Sequence, residues 1–143
     1  MKNKGFSLVE LIIVIAIMAI LAAAIAPALI RYIDKSRKAD DLAAAETINT
    51  AVSAALANED AYSEVAGSMN GNAFASAGPN TAFSGTGTTF LGEVNSSLGG
   101  ASPKVKYTKD SNTTWSIGIS SNGKPIVWKG NVELQPDIDD SYK

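Results

Sequence analysis

Hydrophobic and polar residues follow three successive patterns along this chain. From Leu11 to Ile30 no residue carries a charge or a hydrogen-bonding side chain. At helical rise such a run spans about 30 Å, the thickness of a bilayer's hydrocarbon core. Apolar residues then thin to a stripe. Leu42, Ala45, Ile48, Val52 and Ala55 or Leu56 recur at three- and four-residue steps, with Asp40, Glu46, Thr50 and Ala54 mostly on the other side. Asp34 precedes Lys38 by four residues, a supportive helical pair. No glycine falls between Phe6 and Asn58, so the pattern predicts one helix over 6–58, about 80 Å long at ideal rise. Residues 6–30 read as a membrane-spanning segment and 31–58 as an amphipathic continuation that seats a head domain. Pro27 lies inside it and removes a helical hydrogen bond to the carbonyl of Ala23.

Composition shifts at Ala61. Eight of the chain's 12 glycines lie between Gly67 and Gly100, among Ser, Thr, Asn and Ala, which predicts a loosely ordered connector over 59–102. Within it, Phe90 or Leu91, Val94 and Leu98 keep helical spacing and Gly99-Gly100 follow, predicting a short helix at 89–98. From Pro103 the period becomes two. Val105 and Tyr107 alternate, then Trp115, Ile117 and Ile119, then Ile126 and Trp128, with a strong hairpin signal at Asn122-Gly123. An antiparallel meander of at least three strands is expected over 103–136, with 131–134 a candidate fourth and an acidic tail at 137–143. The fold class is therefore α+β: a long N-terminal helix packed on a small antiparallel meander.

Charge and composition narrow the chemistry. The net charge is −2, with 12 basic and 14 acidic residues, so no overall basic field would draw nucleic acid. Cysteine and histidine are both absent, which excludes disulfides, thiolate chemistry, the usual hydrolytic triads and zinc sites. No enzyme and no cofactor is expected. A cleaved secretory signal competes with the membrane span, since Lys2 and Lys4 precede the run and Ala24-Ile25-Ala26 resembles a cut site. The run is longer than a usual signal core, Pro27 would follow the cut directly, and Glu10 interrupts the start.

Glu10 needs a reason. A carboxylate within a membrane segment costs about 2.5–3.5 kcal/mol on insertion scales, so it usually has a partner or lies near the interface. The residues around it supply the context. Gly5-Phe6-Ser7-Leu8-Val9-Glu10, after a short basic leader and before an uninterrupted apolar run with Pro27 in register, resembles the processing site of type IV prepilins. The resemblance is close over residues 1 to 32 and architectural beyond them. It implies a leader of residues 1–5, cleavage after Gly5 by a membrane prepilin peptidase on the cytoplasmic side, and N-methylation of the new terminus Phe6. Glu10 would then meet the amine of Phe6 in an adjacent subunit and set register during assembly. The small residues around 19–27, with Pro27, would be a place where the helix kinks or melts in a filament. The expected partners are other pilin subunits in a homopolymer, the peptidase, the assembly platform with its ATPase, and the membrane.

The resemblance implies a precursor in the cytoplasmic membrane that becomes a subunit of an extracellular type IV pilus. Motility (twitching), adhesion, DNA uptake and secretion stay open. A pseudopilin of a type II secretion or competence apparatus is the nearest alternative, and a monomeric membrane-tethered binding module a distant one. The absent cysteines depart from the C-terminal disulfide loop of many Gram-negative pilins. Asp137, Asp139 and Asp140 could hold calcium, although a solvated acidic tail is the commoner reading. Asn95 and Asn112 each sit in an acid-x-Asn-x-Ser/Thr sequence, a weak glycosylation signal in so Ser- and Thr-rich a chain.

Overall fold

The computed structural model describes residues 5–143. The chain divides into two units, the first ending at Ser36 and the second running Arg37–Lys143. One helix, α1 (Leu8–Leu56), contributes to both and continues unbroken through Pro27. In the first unit no residue from Gly5 to Ile33 is buried. Leu11, Ile15, Met18, Leu21 and Ile25 all stand exposed. Among the described residues, α1 is the one helix long and apolar enough to cross a membrane.

The second unit is built around the C-terminal part of α1. Its buried face carries Asp41, Ala45, Ile48, Ala51, Val52 and Ala55, with Leu42 and Leu56 half-buried at its edges. This is the stripe the sequence pattern predicts. A short helix α2 (Glu59–Val65) follows, then a 3-10 turn at Ala66–Ser68, strands β1 (Ala73–Ala77) and β2 (Ser84–Gly85), and helix α3 (Thr88–Ser97). Strands β3 (Trp115–Ile119), β4 (Pro125–Lys129) and β5 (Val132–Gln135) precede a last 3-10 turn at Asp140–Tyr142. The five strands form one sheet in the order β2-β1-β3-β4-β5, every pair antiparallel. Trp115, Ile117 and Ile119 of β3 enter a core with Ile48 and Val52 of α1, Phe90 and Val94 of α3, and Val127 and Leu134.

Several boundaries differ from the sequence reading, each for a local reason. The long helix ends at Leu56 rather than 58 because Asn58 caps α2, its side chain accepting the amides of Asp60 (3.0 Å) and Ala61 (3.3 Å). The segment 59–102 is not a loose connector: it holds α2, β1 and β2 as well as α3. Its strand β1, AFASA, buries only two alanines, too small an apolar signal to stand out. It is held instead by backbone pairing to β2 and β3. The helix expected at 89–98 is α3, shifted by one residue at each end.

Conversely, Val105 and Tyr107 do not belong to a strand; the amides of Lys106 and Tyr107 go to a side chain on α1. The expected fourth strand at 131–134 is β5, and Asn122-Gly123 lie in the β3–β4 turn, with Gly123 at φ 81°. Strand β4 presents the opposite face from the one its pattern suggests. Val127 and Lys129 are buried, whereas Ile126 and Trp128 lie half-buried on the outer face. There Trp128 packs across Gly118, where a Cβ would strike the indole ring.

Candidate functional site

The start of α1 carries the residues singled out by sequence. Gly5, Phe6 and Ser7 are exposed and lie in non-helical backbone immediately before the helix, Phe6 at 88 % exposure. The Glu10 Oε2 accepts the backbone amide of Ser7 at 2.8 Å. The Ser7 hydroxyl accepts the amide of Val9 at 3.3 Å, and the Ser7 carbonyl takes the first helical bond, from Leu11 at 3.2 Å. This is a capping box, Ser7-x-x-Glu10, in which two otherwise unpaired amides are satisfied reciprocally. Glu10 thus closes onto the residue next to Phe6. The carboxylate also favours the positive end of the helix dipole. The Ser-x-x-Glu spacing is legible in the sequence, at the edge of the apolar run. Of the leader expected over residues 1–5, residues 1–4 lie outside the described residues.

A second constellation lies in the head, and the sequence reading did not find it. Lys129 and Asp41 are both fully buried, with Nζ 3.2 Å from Asp41 Oδ2. Asp41 also accepts the amides of Lys106 (2.7 Å) and Tyr107 (3.1 Å). Lys129 Nζ lies 3.0 and 3.2 Å from the two oxygens of Asp110 and donates to the Tyr107 carbonyl and the Tyr142 hydroxyl. The Tyr142 hydroxyl in turn reaches Asp110 Oδ2 at 3.3 Å. Burial pushes the Tyr142 hydroxyl well above the usual phenol range, helped by the Asp110 and Asp41 carboxylates. Lys38 closes the arrangement from α1, donating to the Ser141 carbonyl at 2.6 Å and lying over the rings of Tyr107 and Tyr142.

A buried charge that loses its partner is costly, typically about 3–5 kcal/mol. The cluster therefore ties α1, residues 106–110, β4 and the last turn together. One signal was present in the sequence: Lys129 shares a strand face with Val127. The apolar pair Ile126 and Trp128 outweighed it.

The remaining sequence candidates are engaged structurally. Asp139 accepts the Ser141 amide at 2.8 Å and Asp140 pairs with Lys143 at 2.6 Å, while Tyr142 beside them is buried. Residues 137–143 are thus a docked turn rather than a free tail. Among the described residues no group of three or more acidic side chains converges as a metal site. Asn95 brackets Phe83, accepting its amide at 2.7 Å and donating to its carbonyl at 3.0 Å. Asn112 is packed against Gly130. Glu64 supplies the cap that Gly87 cannot give α3, accepting the amides of Thr89 (2.8 Å) and Phe90 (3.0 Å). These bonds, with the Thr89 hydroxyl, hold its carboxyl below the usual range.

Residues 1–26 match the family model of the prokaryotic N-terminal methylation motif. That motif is the prepilin signature of type IV pilins and pseudopilins, and it implies processing by prepilin peptidase and assembly into a pilin polymer. The exposed apolar half of α1 fits a membrane-anchored precursor, and the helix-and-sheet layout fits the type IV pilin fold. No solved structure matches the chain.

Proposed function

We propose that this chain is the structural subunit of a type IV pilus, cut between Gly5 and Phe6 and polymerised through the apolar half of α1 into a cell-surface filament. The observation that carries this reading is the methylation motif joined directly to a helical segment, residues 8–33, whose apolar residues are all exposed. Such a surface is stable only in lipid or against copies of itself. The work done is assembly rather than turnover. An ATPase-driven platform in the membrane would lift subunits from the bilayer, and helix packing would hold them.

Cleavage converts the Phe6 nitrogen from a peptide amide to a cationic amine. Glu10 closes the helix beside it, with one oxygen on the Ser7 amide. A carboxylate has room for further donors, so it can also receive the amine of a neighbouring subunit. In lipid or a packed filament core that attraction is far stronger than in water. Removing Lys2 and Lys4 also takes two positive charges from a chain whose net charge is −2, consistent with no specific role for nucleic acid.

Glu10→Val tests the reading. The variant is expected to be processed and membrane-inserted, yet to give few filaments when sheared cell surfaces are viewed by electron microscopy. Normal filament yield would refute the role of Glu10. Wild-type fibres whose N-terminal sequence starts at Met1, or beyond the apolar run, would refute the processing. A processed wild-type chain that forms no long surface fibres would instead favour the pseudopilin reading.

A further inference from the structure

The buried charge cluster holds more chemistry than a salt bridge needs. A lysine, two aspartates and a phenol meet in one enclosed place, in a chain that has no cysteine to cross-link. We propose that Lys129 and Asp110 condense to an intramolecular isopeptide bond, with Asp41 as the base.

The geometry assigns each part. Both oxygens of Asp110 lie within 3.2 Å of Lys129 Nζ, so the carboxyl carbon between them is within van der Waals reach of the nitrogen. Asp41 approaches the same nitrogen at 3.2 Å and is held in place by the amides of Lys106 and Tyr107. Asp110 Oδ1 accepts the Asn112 amide at 3.1 Å, a donor placed to stabilise an oxyanion on that oxygen. Its other oxygen, Oδ2, faces the Tyr142 hydroxyl. The Asp110 side chain is one-quarter exposed, which gives the displaced water a way out. Fixed neighbours of this kind convert an unfavourable encounter into an intramolecular step.

The reaction balances without a co-reactant. Transfer of one proton from Nζ to Asp110 turns the ion pair into an amine and a carboxylic acid, with the pair's total charge unchanged. The nitrogen lone pair attacks Cγ of Asp110 and the C–N bond forms. Asp41 takes a proton from the nitrogen and returns it to the departing Oδ2 hydroxyl, beside Tyr142. The C–O bond breaks, water leaves, Asp41 is again a carboxylate, and the product is an amide. Nothing is oxidised or reduced. The gain is a covalent clasp across the head, closing the segment from Asp110 to Lys129 and so restricting the unfolded chain as a disulfide would.

Mass spectrometry of the full-length chain, purified in detergent from the cells that produce it, tests this directly. Trypsin should leave Lys129 uncut, giving a product from Asp110 to Lys143 that is lighter than its sequence by one water. Fragmentation should place the link between Asp110 and Lys129. Lys129→Arg and Asp110→Ala should each restore the full mass, and Asp41→Ala should do so with both reacting residues still present. Asp110→Asn should form the same bond with loss of ammonia instead of water. A wild-type digest cut at Lys129 with every peptide at full mass would overturn the proposal, as would a link that joins Lys129 to Asp41.

Discussion

The two halves of α1 solve opposite problems. Before Ser36 the helix displays Leu, Ile, Met and Val to its surroundings on every side and buries nothing. After Arg37 it hides Ile48 and Val52 completely and takes a carboxylate, Asp41, into the interior as well. The first half is apolar and unsatisfied; the second is satisfied to the point of burying an ion pair. The difference shows that the head completes its own interior, whereas the N-terminal part of α1 leaves its apolar surface uncovered. A single continuous helix can therefore serve two environments if only its side-chain pattern changes.

Substitutions on either side should separate the two regimes. Asp41→Ala should be the most damaging in the head. It leaves Lys129 with half its counter-charge and strips two backbone amides of their acceptor. About 3–5 kcal/mol of stability should be lost, read by denaturant unfolding of the detergent-solubilised chain. Ile48→Ala should cost about 2–5 kcal/mol through the cavity it opens. Ile15→Ala, the same truncation in the exposed half, should leave the unfolding midpoint unmoved and lower filament yield instead. Equal losses of stability from the two truncations would break the comparison.

Smaller effects sharpen it. Gly123→Ala forces a side chain into the left-handed conformation of the β3–β4 turn, and should cost about 1–2 kcal/mol on the same unfolding curve. Glu64 has a lowered folded-state pKa, so its contribution is present above the unfolded carboxylate value. That contribution is lost as pH falls through the lower folded value. Glu64→Gln should therefore flatten the fall in stability as pH drops through and below the ordinary carboxylate range. An acid limb identical to wild type would show that the cap on α3 carries no net weight.

The sequence exposed what depends on long repetition. The continuous helix, its change from all-round apolar to striped, α3 and the hairpin at Asn122-Gly123 were all readable, because each repeats a period or marks a turn over several residues. Three features were hidden. Strand β1 is an alanine and serine segment with little hydrophobic contrast, and its existence depends on neighbours distant in sequence. Residues 105–107 alternate as a strand would, yet Asp41 takes the amides of Lys106 and Tyr107. Lys129 points inward only because Asp41 and Asp110, remote along the chain, are there to receive it. Tertiary partners decided each case. At the start of α1 the methylation motif was plain, while the Ser7–Glu10 cap lay hidden within it.

That cap bears on what a cut just upstream of α1 would disturb. Among the described residues, the first hydrogen bonds of α1 join Ser7, Val9, Glu10 and Leu11. A cut between Gly5 and Phe6 would leave every one of these bonds in place.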